Sequence, residues 1–212
     1  MRNKKINYDT YKEFFPQGYL RKLNLNINLD NFTNDIQIYR RHFRRWGQSH
    51  LEYPRYGISL VNLTGKVDDD VDPACWPLDE WWRKYPEKIY WETDFNYPTP
   101  VLDLSCFNVL NPIKKYMIRS NILLWHTDGH FKPHIDMVKN NISHLRIWGV
   151  SSTNYELWYE TGLCTDWIPG QLYLIDTIPK HWAVAKSDDV YTFFISISLD
   201  SLNIIRDLLD YS

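Results

Sequence analysis

The chain has 212 residues, 44% of them hydrophobic and 24% charged, with a net charge of −2. That is long enough for one sizeable core and short for two, with a composition ordinary for a soluble globular protein. The near-neutral charge gives no strong nucleic-acid signal and argues against anionic membranes as the main partner. No apolar run approaches the roughly 20 residues needed to span a bilayer. Ten Trp, fifteen Tyr and nine Phe point to a β-rich fold, because aromatic residues favour strands and supply large buried surfaces. The basic start, Met1 to Asn7, is not followed by an apolar stretch, so no secretory signal is expected. Cys75, Cys106 and Cys164, odd in number and without a CxxC, predict free thiols and a cytoplasmic protein.

In chain order, the first 50 residues read as helical and irregular. Thr33 is a candidate N-cap, with Ile36, Tyr39, Phe43 and Trp46 recurring at helical spacing up to Gly47. Arg40, Arg41, Arg44 and Arg45 form the opposite, solvated face. Gly57–Leu63 reads as a strand. Asp68–Asp70 with Asp72 lacks the Gly and distal Glu of a calcium loop and reads as a solvated loop. From Pro73 to Pro100 the density of Pro excludes long regular elements. From Arg119 the pattern changes to short apolar or alternating runs: Arg119–Trp125, Phe131–Met137, His144–Val150, Tyr155–Tyr159, Leu172–Asp176, Trp182–Ala185 and Val190–Leu199. Such runs predict an antiparallel sandwich or barrel over 119–200. Residues 1–118 would buttress it with one or two strands of their own, and 201–212 would close it with a short helix over Leu202–Leu209. The whole chain is read as one domain.

Five of the seven histidines, 126, 130, 134, 144 and 181, fall in this second half. In Pro133-His134-Ile135-Asp136, residues i and i+2 of a strand project to one face, so an imidazole and a carboxylate can share an ion. A strand from Gly170 to Asp176, a turn and a second strand opening on His181 would return an imidazole to the same mouth. Two His and one carboxylate leave coordination positions of iron open. Alternation in Ser143–Trp148 puts His144, Arg146 and Trp148 on one face, where Arg146 suits a bidentate carboxylate partner. His126 and Asp128 form a second HxD, ranked lower because Asp128-Gly129 reads as a turn. His130 reads as a rim residue, His144 as either a supporting or a core histidine, and Asp176 as a strand-end turn residue.

The stretch from Ile122 to Leu199 resembles the double-stranded β-helix (jelly-roll, cupin-like) core of 2-oxoglutarate/Fe(II) oxygenases, in the aspartyl/asparaginyl β-hydroxylase-like and prolyl-hydroxylase-like branches. The residues that carry the resemblance are Leu123–Trp125, His126–His130, the Pro-His-x-Asp of Pro133–Asp136, the Gly-led strand at Gly170 and the distal His181. The resemblance implies a mainly β fold with N-terminal helices, Fe(II) bound by His134, Asp136 and His181, and 2-oxoglutarate and O2 as co-substrates. The implied activity is hydroxylation of a peptide side chain or small metabolite. The family commonly sets an Arg after the distal His to grip the far carboxylate of 2-oxoglutarate, whereas here that neighbourhood is Val190-Tyr191-Thr192. Arg146 is the first substitute expected, with Tyr191 and Thr192 as hydroxyl donors and Lys186 and Lys180 as weaker candidates. That departure keeps open a cupin-like metal enzyme without 2-oxoglutarate. A non-catalytic jelly-roll binding protein is the third alternative.

Overall fold

A computed structural model describes residues 4–16, 18–46, 54–67, 71–164 and 167–210. Its twelve strands are β1 (Leu20–Asn26), β2 (Arg44–Arg45), β3 (Arg55–Asn62), β4 (Tyr97–Pro98), β5 (Met117–Trp125), β6 (His130–His134), β7 (His144–Val150), β8 (Tyr155–Tyr159), β9 (Gly162–Cys164), β10 (Gln171–Ile175), β11 (His181–Ala185) and β12 (Val190–Ser198). Four short helices join them: α1 (Tyr8–Lys12), α2 (Leu29–Asp35), α3 (Leu78–Lys84) and α4 (Leu202–Leu208). Among the described residues no helix is long and apolar enough to cross a membrane.

The last eight strands form a long antiparallel hairpin wound into a helix. β8 turns directly into β9, with Tyr159 opposite Gly162, and Gly162 supplies the φ of +136° that a side-chain-bearing residue rarely adopts. Outward from that turn, β7 pairs with β10, β6 with β11 and β5 with β12. The coil divides these strands between two sheets. The larger runs β1-β10-β7-β12-β5-β3-β2, with β4 on β3, and the smaller runs β6-β11-β8-β9. This is the double-stranded β-helix, a jelly roll, and the fold is mainly β as expected.

Alternation along the large sheet separates two cores. Ile122, Leu124, Leu145, Ile147, Phe193 and Ile195 face outward and pack under the N-terminal segment and α4, with Tyr11, Phe14, Phe32 and Ile205. Leu123, Trp125, Trp148, Tyr173 and Phe194 face inward and fill the space between the sheets with Tyr155 and Leu157 of the small sheet.

Several sequence expectations need correction. The helix expected from Thr33 starts earlier, at Leu29, because Asn28 rather than Thr33 caps it, its side chain accepting from the Asn31 N–H at 2.9 Å. It then tightens to a 3-10 turn over Ile36–His42, and Arg44–Arg45 is a strand against β3. Gly47 and Asp68–Asp70 lie outside the described residues. The described residues before β5 contribute four strands, not one or two, and β1 is an edge strand of the large sheet. β6 ends at His134, not Met137, and Ile135 is 53% exposed.

Candidate metal centre

The site is built where β6 and β11 meet. His134 and His181 are direct partners across these strands, and the register slips between His181 and Ala183. Such a bulge re-aims a side chain locally. Asp136 lies just beyond β6, so the i, i+2 strand argument for its direction does not apply. Its direction comes instead from the chain turning back, pinned by the Asp136 N–H donating to the Thr177 carbonyl at 3.2 Å. His134, Asp136 and His181 each offer one ligand atom, and these atoms lie within 4.8 Å of one another. His134 Nε2 is 3.3 Å from Asp136 Oδ1, and His181 Nε2 is 4.0 Å from Asp136 Oδ2.

Both rings are oriented from behind. His134 Nδ1 faces the Lys132 carbonyl at 2.7 Å, and His181 Nδ1 faces the Pro179 carbonyl at 2.9 Å. A carbonyl only accepts, so each Nδ1 carries hydrogen, and in the neutral ring each Nε2 then has its lone pair turned to the centre. His181 Nε2 is fully buried and has no hydrogen-bond partner. An orphaned imidazole nitrogen beside a carboxylate and a second imidazole fits a divalent cation.

Burial opposes ionisation of Asp136, but the His134 hydrogen bond and the Arg146 charge hold its carboxyl well below the usual range. Burial also works against His134 protonation, yet its hydrogen bond to Asp136 raises its pKa above the ordinary histidine value. Burial dominates at His181 and lowers it. The His134 side chain is 36% exposed, that of Asp136 18% and that of His181 2%, so the centre is closed at His181 and open at His134.

Beneath the triad lies a buried ionic cluster. Arg146 of β7 reaches Asp136 Oδ2 at 3.8 Å and Glu92 Oε1 at 3.6 Å, donates to Ser196 Oγ and lies over the Phe194 ring at 3.8 Å. Arg119 of β5 bonds Glu92 Oε1 at 2.8 Å, and Ser196 Oγ donates to Glu92 Oε2 at 3.1 Å. Despite burial, the two arginines lower the Glu92 carboxyl to about 2. His144 shares this side of β7. Burial first and Arg146 second push it down to about 4, so it is neutral.

The other sequence candidates are placed apart from the triad. Thr192 faces the lumen, and its Oγ1 accepts from Trp125 Nε1 at 2.9 Å. Tyr191 points to the opposite face of the sheet, beside Phe32 and Phe43, and accepts from Arg40. Lys186 and Lys180 are exposed partners of Glu156 and Glu160. Asp128 sits in a turn at φ +65°, and His126 is 3.5 Å from Asp188, so this second HxD does not join the centre. His130, half-buried, faces its own turn, its Nδ1 2.9 Å from the Asp128 carbonyl. Asp176 is more than a turn residue: its buried carboxylate accepts from Tyr11 and Lys12, each at 3.1 Å.

Glu92, Arg119 and Ser196 were missed by sequence reasoning. A cation inside the apolar run of β5 and hydroxyls at inward positions of β12 were the available signals. Nothing local marks Glu92.

No family model matches the sequence, and no curated protein does. Partial likenesses exist among solved structures. KdgF from a Halomonas species is 18% identical, with 41% of this chain and 75% of that one covered and a TM-score of 0.31. An RmlC-like cupin from Shewanella frigidimarina is 10% identical over 41% and 71%, with a TM-score of 0.29. A cupin-superfamily sugar phosphate isomerase from Silicibacter pomeroyi is 15% identical over 39% and 50%, with a TM-score of 0.28.

Proposed function

We propose that the protein is a 2-oxoglutarate-dependent, non-haem Fe(II) oxygenase that hydroxylates a peptide side chain or a small metabolite. The observation that carries this reading is the His134–Asp136–His181 cluster, with both Nε2 atoms turned inward at one end of a double-stranded β-helix. Two imidazoles and one carboxylate suit iron that must keep positions open for other ligands. Iron held there would supply oxidation of an unactivated C–H bond, coupled to decarboxylation of the oxo-acid. The protein's own part is to fix three ligand directions, keep water from the buried side through His181 and the aromatic lumen, and present positive charge from Arg146 to an anionic ligand.

A cupin-type metal enzyme without an oxo-acid is the second reading, and one observation favours it. Arg146 is already engaged by Glu92, Ser196 and Asp136, and Thr192 by Trp125. Anaerobic titration with Fe(II) and 2-oxoglutarate separates the readings. A weak visible charge-transfer band in the wild type, absent in His134→Ala, is the expected outcome. Fe(II) binding without the band would favour the second reading, and no Fe(II) binding would overturn both.

A further inference from the structure

The segment from Pro73 to Asp94 precedes the β-helix in sequence yet reaches its metal end. It is a strap with its own supports: Trp81 Nε1 donates to the Lys88 carbonyl at 2.8 Å, and Trp82 Nε1 to that of Tyr90 at 3.1 Å. The Trp91 N–H is capped by Asp94 at 2.7 Å, which sets the short turn that carries Glu92. Arg119 grips the strap at three points, the carbonyls of Ala74 and Trp76 and the carboxylate of Glu92. Glu92 in turn meets Arg146 at 3.6 Å, and Arg146 meets Asp136 Oδ2 at 3.8 Å. A continuous path of ionic contacts, buried at Arg119 and Arg146, therefore joins the strap to the carboxylate of the triad. The Phe194 ring below the Arg146 guanidinium and Ser196 beside it leave Arg146 little freedom of its own.

We infer that Glu92 and Arg146 are positioning residues that couple the strap to the metal centre, Glu92 fixing Arg146 and Arg146 holding one oxygen of Asp136 so that the other faces His134. The inference rests on the metal site proposed above. Its physical basis is that a carboxylate with two equivalent oxygens has no fixed orientation until something engages the one that is not used. The partners behind metal ligands set ligand geometry in this way, and their loss commonly weakens binding by about 10–100-fold. The coupling is reciprocal: if the strap helps to order Asp136, a cation on Asp136 must help to order the strap.

Co(II) is the probe, because its visible spectrum reports ligand geometry and no turnover is needed. Glu92→Gln and Arg146→Gln are each expected to weaken Co(II) binding about tenfold and alter the Co(II) absorption bands. Arg146→Gln is the sharper variant. Removing a positive charge near a cation would by itself tighten binding, so a rise in affinity would overturn the positioning role. Unchanged affinity and spectrum in both folded variants would overturn it as well. Hydrogen exchange of the wild type needs no variant. Co(II) is expected to slow exchange of strap amides around Glu92 as well as those of β6 and β11, and slowing confined to β6 and β11 would refute the coupling. A wild type that does not bind Co(II), or a His134→Ala variant that binds it equally well, would instead remove the metal site itself.

Discussion

The two faces of the large sheet are packed by different chemistry. Outward, Ile147, Phe193 and Ile195 meet Phe32, Phe107 and Ile205 in a core of aliphatic groups and phenyl rings. Inward, the same strands present Trp125, Trp148, Tyr173 and Phe194 to Tyr155 and Trp167. The inner side also carries fully buried polar atoms without a hydrogen-bond partner, among them Trp46 Nε1, Trp148 Nε1, Tyr155 Oη, Trp167 Nε1 and His181 Nε2. An unsatisfied buried donor costs free energy that a purely apolar packing avoids. The outer core is therefore expected to contribute more to stability than the inner one, which carries these polar atoms around the place where chemistry is proposed.

Truncating the outer core should give the largest loss of stability. Phe193 is fully buried against Phe32 and Phe107, and Phe193→Ala is expected to cost about 3–5 kcal/mol in denaturant unfolding. If both cores bear the fold equally, truncations on the inner side would match it.

The next effect is electrostatic and belongs to the inner side. The Glu92 carboxyl lies at about 2 in the fold against an ordinary 4.5, so the folded state binds this proton less readily than the unfolded chain. The stability it contributes is complete above pH 4.5 and is lost as pH falls towards 2, about 3 kcal/mol in all. Wild type should lose more stability across that window than Glu92→Gln. Parallel pH curves for the two proteins would show that Glu92 is not held by its arginines.

The inner side can also be tested within itself. Trp125 and Trp148 are both buried indoles, but Trp125 donates to Thr192 while Trp148 donates to nothing in the protein. Replacing each by Phe removes similar volume, so the difference isolates the N–H. Trp125→Phe should cost about 1–2 kcal/mol more than Trp148→Phe. Equal costs would mean that Trp148 Nε1 has a partner, such as a buried water.

How much of this was legible beforehand follows the same division. β7 and β8 match their expected bounds, and β5, β10, β11 and β12 fall within two residues of theirs, because strands buried on both faces (β5, β7, β10 and β12) read as short, largely apolar runs between turn residues, while β8 and β11 alternate. β1 was not read: alternation in Leu20–Asn26 begins only at Leu23, after the consecutive Arg21 and Lys22, and its role depends on β10, far away in sequence. That His134, Asp136 and His181 would come together was legible through residue type and spacing, even though Asp136 lies off the strand that was invoked to aim it. Glu92 was not legible, because a carboxylate in a Trp-rich strap has no local pattern that links it to Arg119 and Arg146. Long-range ionic contacts leave no period in the sequence.

The smallest expected effect bears on how a co-substrate would be anchored. Lys186 was a sequence candidate for that role, but its amine pairs with Glu156 at 3.1 Å and its side chain is 49% exposed. Exposed pairs contribute little, so Lys186→Ala should change stability by less than about 0.5 kcal/mol. Arg146, by contrast, is almost wholly buried and 3.8 Å from Asp136. If positive charge for an anionic ligand comes from inside the β-helix, Lys186→Ala should leave 2-oxoglutarate binding to the Fe(II) form at its wild-type value. A drop of tenfold or more would place the far carboxylate at the exposed end of β11 and give Lys186 the role that the buried arginine would otherwise hold.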